Sequence, residues 1–148
     1  ATSTDLIHWS PVEVSHGTPI IVLSKRLGHF DSAFPEMGPP PVLTKKGIVV
    51  IYNGKNASEH GDTSLPAGTY SNGQALFAAN NPEKLIARTD RPFFKPELAY
   101  ERTGQYKDGT TFAEGLVFFK GKWLLYYGCA DSFVGVAIAP ARANIGSK

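Results

Sequence analysis

Apolar residues fall along this chain in short runs closed by Gly, Pro, Asn and Lys, not at the three-and-four spacing of an amphipathic helix. The clearest case is Thr110 to Ala139. Three runs rich in β-branched and aromatic residues lie there, Leu116 to Phe119, Trp123 to Tyr127 and Phe133 to Ile138, parted by Lys120-Gly121-Lys122 and Gly128 to Ser132. This pattern predicts a three-stranded meander. Val42 to Thr44 and Gly47 to Asn53 predict a hairpin around Lys45-Lys46, and Pro19 to Leu23, Gln74 to Ala79 and Lys84 to Arg88 predict further strands. Between them, the proline- and glycine-rich stretch Ser24 to Pro41, the polar loop Ala57 to Thr69 and the connection Asp90 to Gly109 read as irregular. No segment predicts a helix of more than about two turns.

Two of these segments repeat one plan: an apolar strand, a Lys/Gly turn, an apolar strand ending in Tyr and Gly, then a strand of small residues. V-L-T-K-K-G-I-V-V-I-Y-N-G with G-Q-A-L-F-A-A-N matches L-V-F-F-K-G-K-W-L-L-Y-Y-G-C with V-G-V-A-I-A, placing Gly54 level with Gly128. Ser3 to Trp9 resembles the turn Asn80 to Ile86. The expected fold is all-β, a β-propeller of which the chain holds about two antiparallel blades plus a strand of a third. Residues 1–11 would be the outer strand and turn of a preceding blade, 18–90 a blade with long loops, 91–109 a connecting loop, 110–140 a second blade and 141–148 a tail.

Composition narrows the function classes. The 148 residues, 42% hydrophobic, suffice for one domain with a core. A net charge of +2 with scattered Lys and Arg gives no case for nucleic acid. One cysteine, Cys129, excludes an internal disulfide and reads as a buried small hydrophobe. His8, His16, His29 and His60 lack metal-ligand spacing, so no metal or cofactor is expected. No apolar run is long enough to span a membrane, and the expectation is a soluble protein whose compartment, periplasmic, secreted or cytoplasmic, stays open.

Carboxylates at strand ends are the candidate chemistry. Glu114, flanked by Phe112, Ala113, Gly115 and Leu116, stands where a strand begins, and its bland alternative is a glutamate satisfied by backbone amides. Glu36 in F-P-E-M-G-P-P-P is held in a proline-stiffened loop, though loop acids are commonly plain surface groups. Asp31 shares that ambiguity, and Asp131 has the composition of a turn residue. Tyr52, Tyr70, Tyr126 and Tyr127 offer sugar-stacking rings or core filling.

S-T-D-L-I-H-W, the G-P-P-P loop, I-V-V-I-Y-N-G-K-N, G-Q-A-L-F, P-E-K-L-I-A-R-T-D-R-P-F-F-K-P-E with Y-E-R-T-G, and F-A-E-G-L-V with Y-Y-G-C-A-D-S-F-V-G-V-A-I-A together resemble glycoside hydrolase family 130. That family comprises the five-bladed β-mannoside phosphorylases and β-1,2-mannosidases, and the resemblance covers nearly the whole chain in order. It implies that the chain is the C-terminal part of a longer enzyme whose N-terminal blades supply the general acid, so that the chain alone would be inactive and its exposed edges would self-associate or pair with the N-terminal half. Where phosphorylases commonly carry Y-H-G this chain has Tyr52-Asn53-Gly54, and where they carry small neutral residues it has Ala113-Glu114. A carboxylate repels phosphate and can take a proton from water, which favours a hydrolase. The resemblance thus implies inverting hydrolysis of β-mannosides, with β-1,2-linked manno-oligosaccharides the expected substrates. Glu114 would be the base, with Glu36 or Glu59 the second glutamate, and Asp131, Asp31, Tyr70 and Asn53 would be substrate ligands. A phosphate-dependent phosphorylase and a non-catalytic glycan-binding propeller are the alternatives.

Overall fold

The computed structural model describes residues 1–140, and apart from one 3-10 turn at Ala99–Glu101 its regular elements are all strands. β1 (Glu13–Ser15) and β2 (Thr18–Pro19) form a small ribbon. β3 (Phe34–Met37), β4 (Val42–Thr44), β5 (Gly47–Lys55), β6 (Tyr70–Ala78) and β7 (Asn81–Arg88) make one antiparallel sheet in the order β3-β5-β6-β7, with β4 also on β5. β8 (Thr111–Phe119), β9 (Lys122–Cys129) and β10 (Phe133–Pro140) are the meander, in the order β10-β9-β8.

β5 shows why the two sheets stack. Its residues are buried on both faces, so it reads as a continuous apolar run instead of an alternating one. Val50 and Tyr52 point to one side, into a cluster with Phe30, Ala75 and Phe77. Ile51 points to the other and meets Ala113 and Leu125 of the second sheet. β8 therefore lies against β5 and β6, and the neighbouring face of the first sheet carries Asn53 and Lys55.

Several boundaries differ from the sequence expectation. Pro19 to Leu23 is not a strand, because the ladder with β1 ends at Pro19 and only one further backbone bond follows, from the Ile20 N–H to the Val12 carbonyl. The stretch Ser24 to Pro41 contains β3: Pro35 pairs with Gly54 on an edge strand, where its lack of an N–H costs no ladder bond. β6 begins at Tyr70, not Gln74, and β8 at Thr111, not Leu116, because buried Ser71, Asn72 and Thr111 extend these strands with polar residues. The repeat is real but shifted by one position. Tyr52 lies over Gly73 and Tyr127 over Gly135, so Tyr52 matches Tyr127, and Gly54 is level with Cys129. Residues 1–11 form an exposed turn closed by the Thr2–Ser10 bridge, and the tail 141–148 lies outside the described residues.

Candidate functional site

One end of the two sheets gathers most of the candidate residues. Register sets this up: Phe34 pairs with Lys55 and Lys55 with Tyr70, so the three side chains stand in one row on one face. Two residues along β3, on the same face, Glu36 pairs with Asn53. Tyr70 packs edge-on against Phe34, Tyr106 and Phe112, with ring centroids 6.2, 5.6 and 5.4 Å away. The Lys55 ammonium sits 5.7, 5.3 and 5.6 Å from the centroids of Phe34, Tyr70 and Tyr106, a cation held by three ring faces. Burial, then the Glu36 carboxylate facing its hydroxyl, with Tyr106 and Asp131 adding, pushes the Tyr70 phenol up to about 12. It is a standing hydrogen-bond donor beside two acids. A cleft of about 520 Å³ lined by Phe34, Lys55, Ser58, Tyr106 and Asp108 opens next to this cluster.

Asp131 is exposed at the tip of the β9–β10 turn, with φ 53° following Ala130 at φ 48°. Aspartate tolerates this left-handed backbone better than alanine does. The turn is held from the connection before β8, where the Tyr106 N–H donates to the Ala130 carbonyl at 3.1 Å and the Gln105 N–H to Ser132 Oγ at 3.0 Å.

Glu114 occupies a bulge in β8: Ala113 pairs with Tyr127 and Gly115 with Tyr126, leaving Glu114 as the extra residue. It is exposed and forms no hydrogen bond or ion pair with the described residues. Its predecessor Ala113 is fully buried, tied to the Asn53 amide from the first sheet. Glu59 is exposed in the β5–β6 loop, next to Ser58 of the cleft, and is likewise unpaired among the described residues. The structure thus brings Glu36, Tyr70 and Asp131 together and sets Glu114 on the adjoining strand of the next sheet.

Asp31 and Asn53 are placed differently. Asp31 lies on the opposite face of β5, fully buried, where it accepts from Arg26 Nε at 3.2 Å, Arg26 Nη2 at 2.9 Å and the Tyr52 hydroxyl at 2.8 Å. Arg88 Nη2 is 2.7 Å away. Burial pushes the Tyr52 phenol up to about 12, with Arg88 opposing and Asp31 adding. Asn53 is also fully buried, with both ends of its amide bonded to protein groups.

Sequence reasoning missed Lys55, Tyr106, Phe34 and Phe112. Lys55 had a signal, since it ends Y-N-G-K two residues beyond Asn53 and so shares its face. Tyr106, from an irregular connection, had none. Glu101 was also missed: it is 2% exposed, accepting from the Tyr127 hydroxyl at 2.7 Å and from the Glu97 and Leu98 N–H groups at 2.7 and 2.8 Å.

A family model described as beta-1,4-mannooligosaccharide phosphorylase, that of glycoside hydrolase family 130, matches residues 1–145. The chain is 55% identical to a putative glycoside hydrolase from Parabacteroides distasonis, with a TM-score of 0.89 over 92% of this chain and 39% of that one. It is 49% identical, with a TM-score of 0.90 over 97% of this chain and 42% of the other, to a structure from work on family members that are glycoside hydrolases targeting beta-1,2 mannosidic linkages in Candida mannan. A 1,2-beta-oligomannan phosphorylase from Thermoanaerobacter sp. is 33% identical over 74% of this chain and 33% of its own length. The chain thus spans about a third of this curated relative and about two fifths of these solved structures. Its antiparallel sheets match part of a five-bladed propeller.

Proposed function

The chain belongs to glycoside hydrolase family 130, a family of β-mannoside-active enzymes, and we propose that it contributes one side of the active site of an inverting β-mannosidase. The remaining blades would complete the site and supply the general acid. The observation that carries this reading is Glu114, an exposed bulge carboxylate with no cation or amide partner among the described residues, directly after the fully buried Ala113. A bulge turns its extra residue out of the ladder, and the buried Ala113 beside it fixes the direction in which the Glu114 carboxylate leaves the strand. With no protein partner holding it, that carboxylate is available to take a proton from water.

In this mechanism the acid protonates the glycosidic oxygen as the bond to C1 breaks. Glu114 removes a proton from a water whose oxygen attacks C1 from the opposite face, releasing mannose with inverted configuration. Glu36, close enough to the Tyr70 phenol to raise it, is the better candidate for the second glutamate. Glu59 sits farther out along the loop. Asp131 and Tyr70 would bind sugar hydroxyls. Asp31 and Asn53 are left out of the ligand set, because their polar atoms are already engaged by protein groups. The 49% identity to the structure from work on hydrolases of beta-1,2 mannosidic linkages, against 33% for the phosphorylase, supports hydrolysis.

The test is mannose release from β-1,2-linked manno-oligosaccharides, with and without phosphate, by the polypeptide that carries this chain together with the remaining blades. Hydrolysis without phosphate is expected, and Glu114→Gln should lower kcat by at least about 10²-fold. Wild-type turnover in that variant removes the base assignment. A second reading, phosphorolysis, is favoured by the description of the matching family model and would appear as strict phosphate dependence with a mannose 1-phosphate product.

A further inference from the structure

Asn53 spends its whole side chain on two strands. Its Oδ1 accepts from the Ala113 N–H at 2.7 Å and from Asn72 Nδ2 at 2.6 Å. Its Nδ2 donates to the Ala113 carbonyl at 3.1 Å and, at a longer 3.5 Å, to the Met37 carbonyl. One primary amide thus engages both backbone groups of Ala113, copying the reciprocal N–H and C=O exchange of two paired residues. It does so between β5 and β8, which belong to different sheets. The Ala113 backbone groups face the first sheet and not β9, so Asn53 is what satisfies them in a fully buried place.

The location gives this bond its consequence. Asn53 is the register partner of Glu36 and reaches the carbonyl of Met37, the next residue. Its other contact, Ala113, is the residue before Glu114. Glu114 is the unpaired member of a bulge, so its aim is fixed by its two neighbours. Gly115 is held by Tyr126, and Ala113 by Asn53. We infer that Asn53 is a positioning residue that sets the separation of the Glu36 and Glu114 carboxylates by clamping β8 to β5. This rests on the proposed pairing of those two glutamates. Inversion needs the two carboxyls about 6.5 to 9.5 Å apart, to leave room for one water. A misplacement of about 1 Å at a reacting group costs about 10²-fold.

The experiment is steady-state kinetics of Asn53→Asp and Asn53→Ala in the polypeptide that carries all the blades, beside the wild type, with a thermal melt of each. Asn53→Asp keeps the shape and the acceptor for the Ala113 N–H but loses the donor to its carbonyl. The expected result is a fall in kcat of about 10²-fold with KM changed less than about threefold. A raised KM with kcat intact would make Asn53 a sugar ligand and overturn the inference. A lowered melting temperature with both constants unchanged would make it a fold contact only, and overturn it equally. Should neither variant fold, Asn72→Ala removes the bond that orients the Asn53 amide without touching Ala113. It should lower kcat about tenfold, the equivalent of one hydrogen bond, and an unchanged kcat there overturns the inference too. Failure of the hydrolase reading shows separately, as a wild-type enzyme that turns over only with phosphate.

Discussion

Replacing Tyr127 by Phe should destabilise the protein more than replacing Tyr52 by Phe, although the two tyrosines occupy matching places. Each phenol donates to a buried acid, Tyr127 to Glu101 at 2.7 Å and Tyr52 to Asp31 at 2.8 Å. The acids differ in what remains after the hydroxyl is gone. Asp31 keeps the Arg26 guanidinium on both oxygens and Arg88 at 2.7 Å, so the loss is about that of one ordinary hydrogen bond, ~1 kcal/mol. Glu101 has no cation among the described residues. Its Oε2 keeps two amide donors, but its Oε1 is left bare in a site 2% exposed. A hydrogen bond to a charged group with its partner stranded is worth ~2 to 3 kcal/mol. At about 2 to 4 °C per kcal/mol for a domain of this size, Tyr127→Phe should lower the melting temperature by about 5 to 10 °C and Tyr52→Phe by about 2 to 4 °C. Urea unfolding gives the free energies directly, and a double-mutant cycle with Glu101→Gln isolates the pair. Equal costs for the two tyrosines, or a coupling below about 0.5 kcal/mol, would refute the reasoning.

The glycines beneath those rings should tolerate no side chain. A Cβ on Gly73 would lie 2.2 Å from Tyr52 Cζ and one on Gly135 2.5 Å from Tyr127 Cζ, so Gly73→Ala and Gly135→Ala should each cost at least about 1 to 3 kcal/mol, while Gly121→Ala meets no atom and should lose only the backbone preference of its φ of 74°. Urea titration of the three variants checks the order. Stability should also fall in alkali. Tyr52 and Tyr70 are raised to about 12 against about 10 when unfolded, so between those values the unfolded chain has released protons that the native one still holds. Their contribution is complete below about pH 10 and is lost as pH rises toward about 12, with Tyr127, pushed higher still by burial and Glu101, adding to the decline. Unfolding midpoints at about pH 9 and about pH 11 measure the slope, and Tyr52→Phe should flatten it.

The strand skeleton was legible where burial is apolar. Leu116 to Phe119, Trp123 to Tyr127 and Phe133 to Ile138 all fall inside β8, β9 and β10, because hairpin partners a few residues apart need only an apolar run and a turn. Strand starts were not legible. Ser71, Asn72, Thr110 and Thr111 are buried by pairing across connections of many residues, which composition does not record. Among the site residues, Glu114 stood out by its apolar flanks. The Glu36–Tyr70 contact needs the register of three strands at once, and the burial of Glu101 depends on a tyrosine from another strand. Asp31 read as a surface or ligand acid because its two arginines and its tyrosine come from three separate segments.

The repeated unit explains why Glu114 sits where it does. In each sheet a tyrosine on the second strand packs over a glycine on the third and is capped by an acid from the preceding loop. That unit fixes the strand opposite the tyrosine, which is Met37 in the first sheet and Ala113 in the second. Immediately beyond this rigid level both first strands turn irregular. In the first, Gly38 opens the proline break, with no space for a Cβ 2.8 Å from the Ile51 carbonyl. In the second, the bulge displays Glu114. An irregularity placed next to the stiffest point of a sheet can turn a side chain out of the ladder without loosening its aim. The charge difference between the two caps follows from topology. β7 lends Arg88 to the first sheet, whereas the described part of the second has no fourth strand, and Glu101 is satisfied by backbone amides instead. The strand that carries Glu114 is therefore held from two directions: Asn53 of the neighbouring sheet bonds Ala113, and the turn before the strand is tied to β9 by Tyr127–Glu101 and to the strand's start by the Thr110 N–H donating to the Glu101 carbonyl, so its aim depends on geometry more than on net charge.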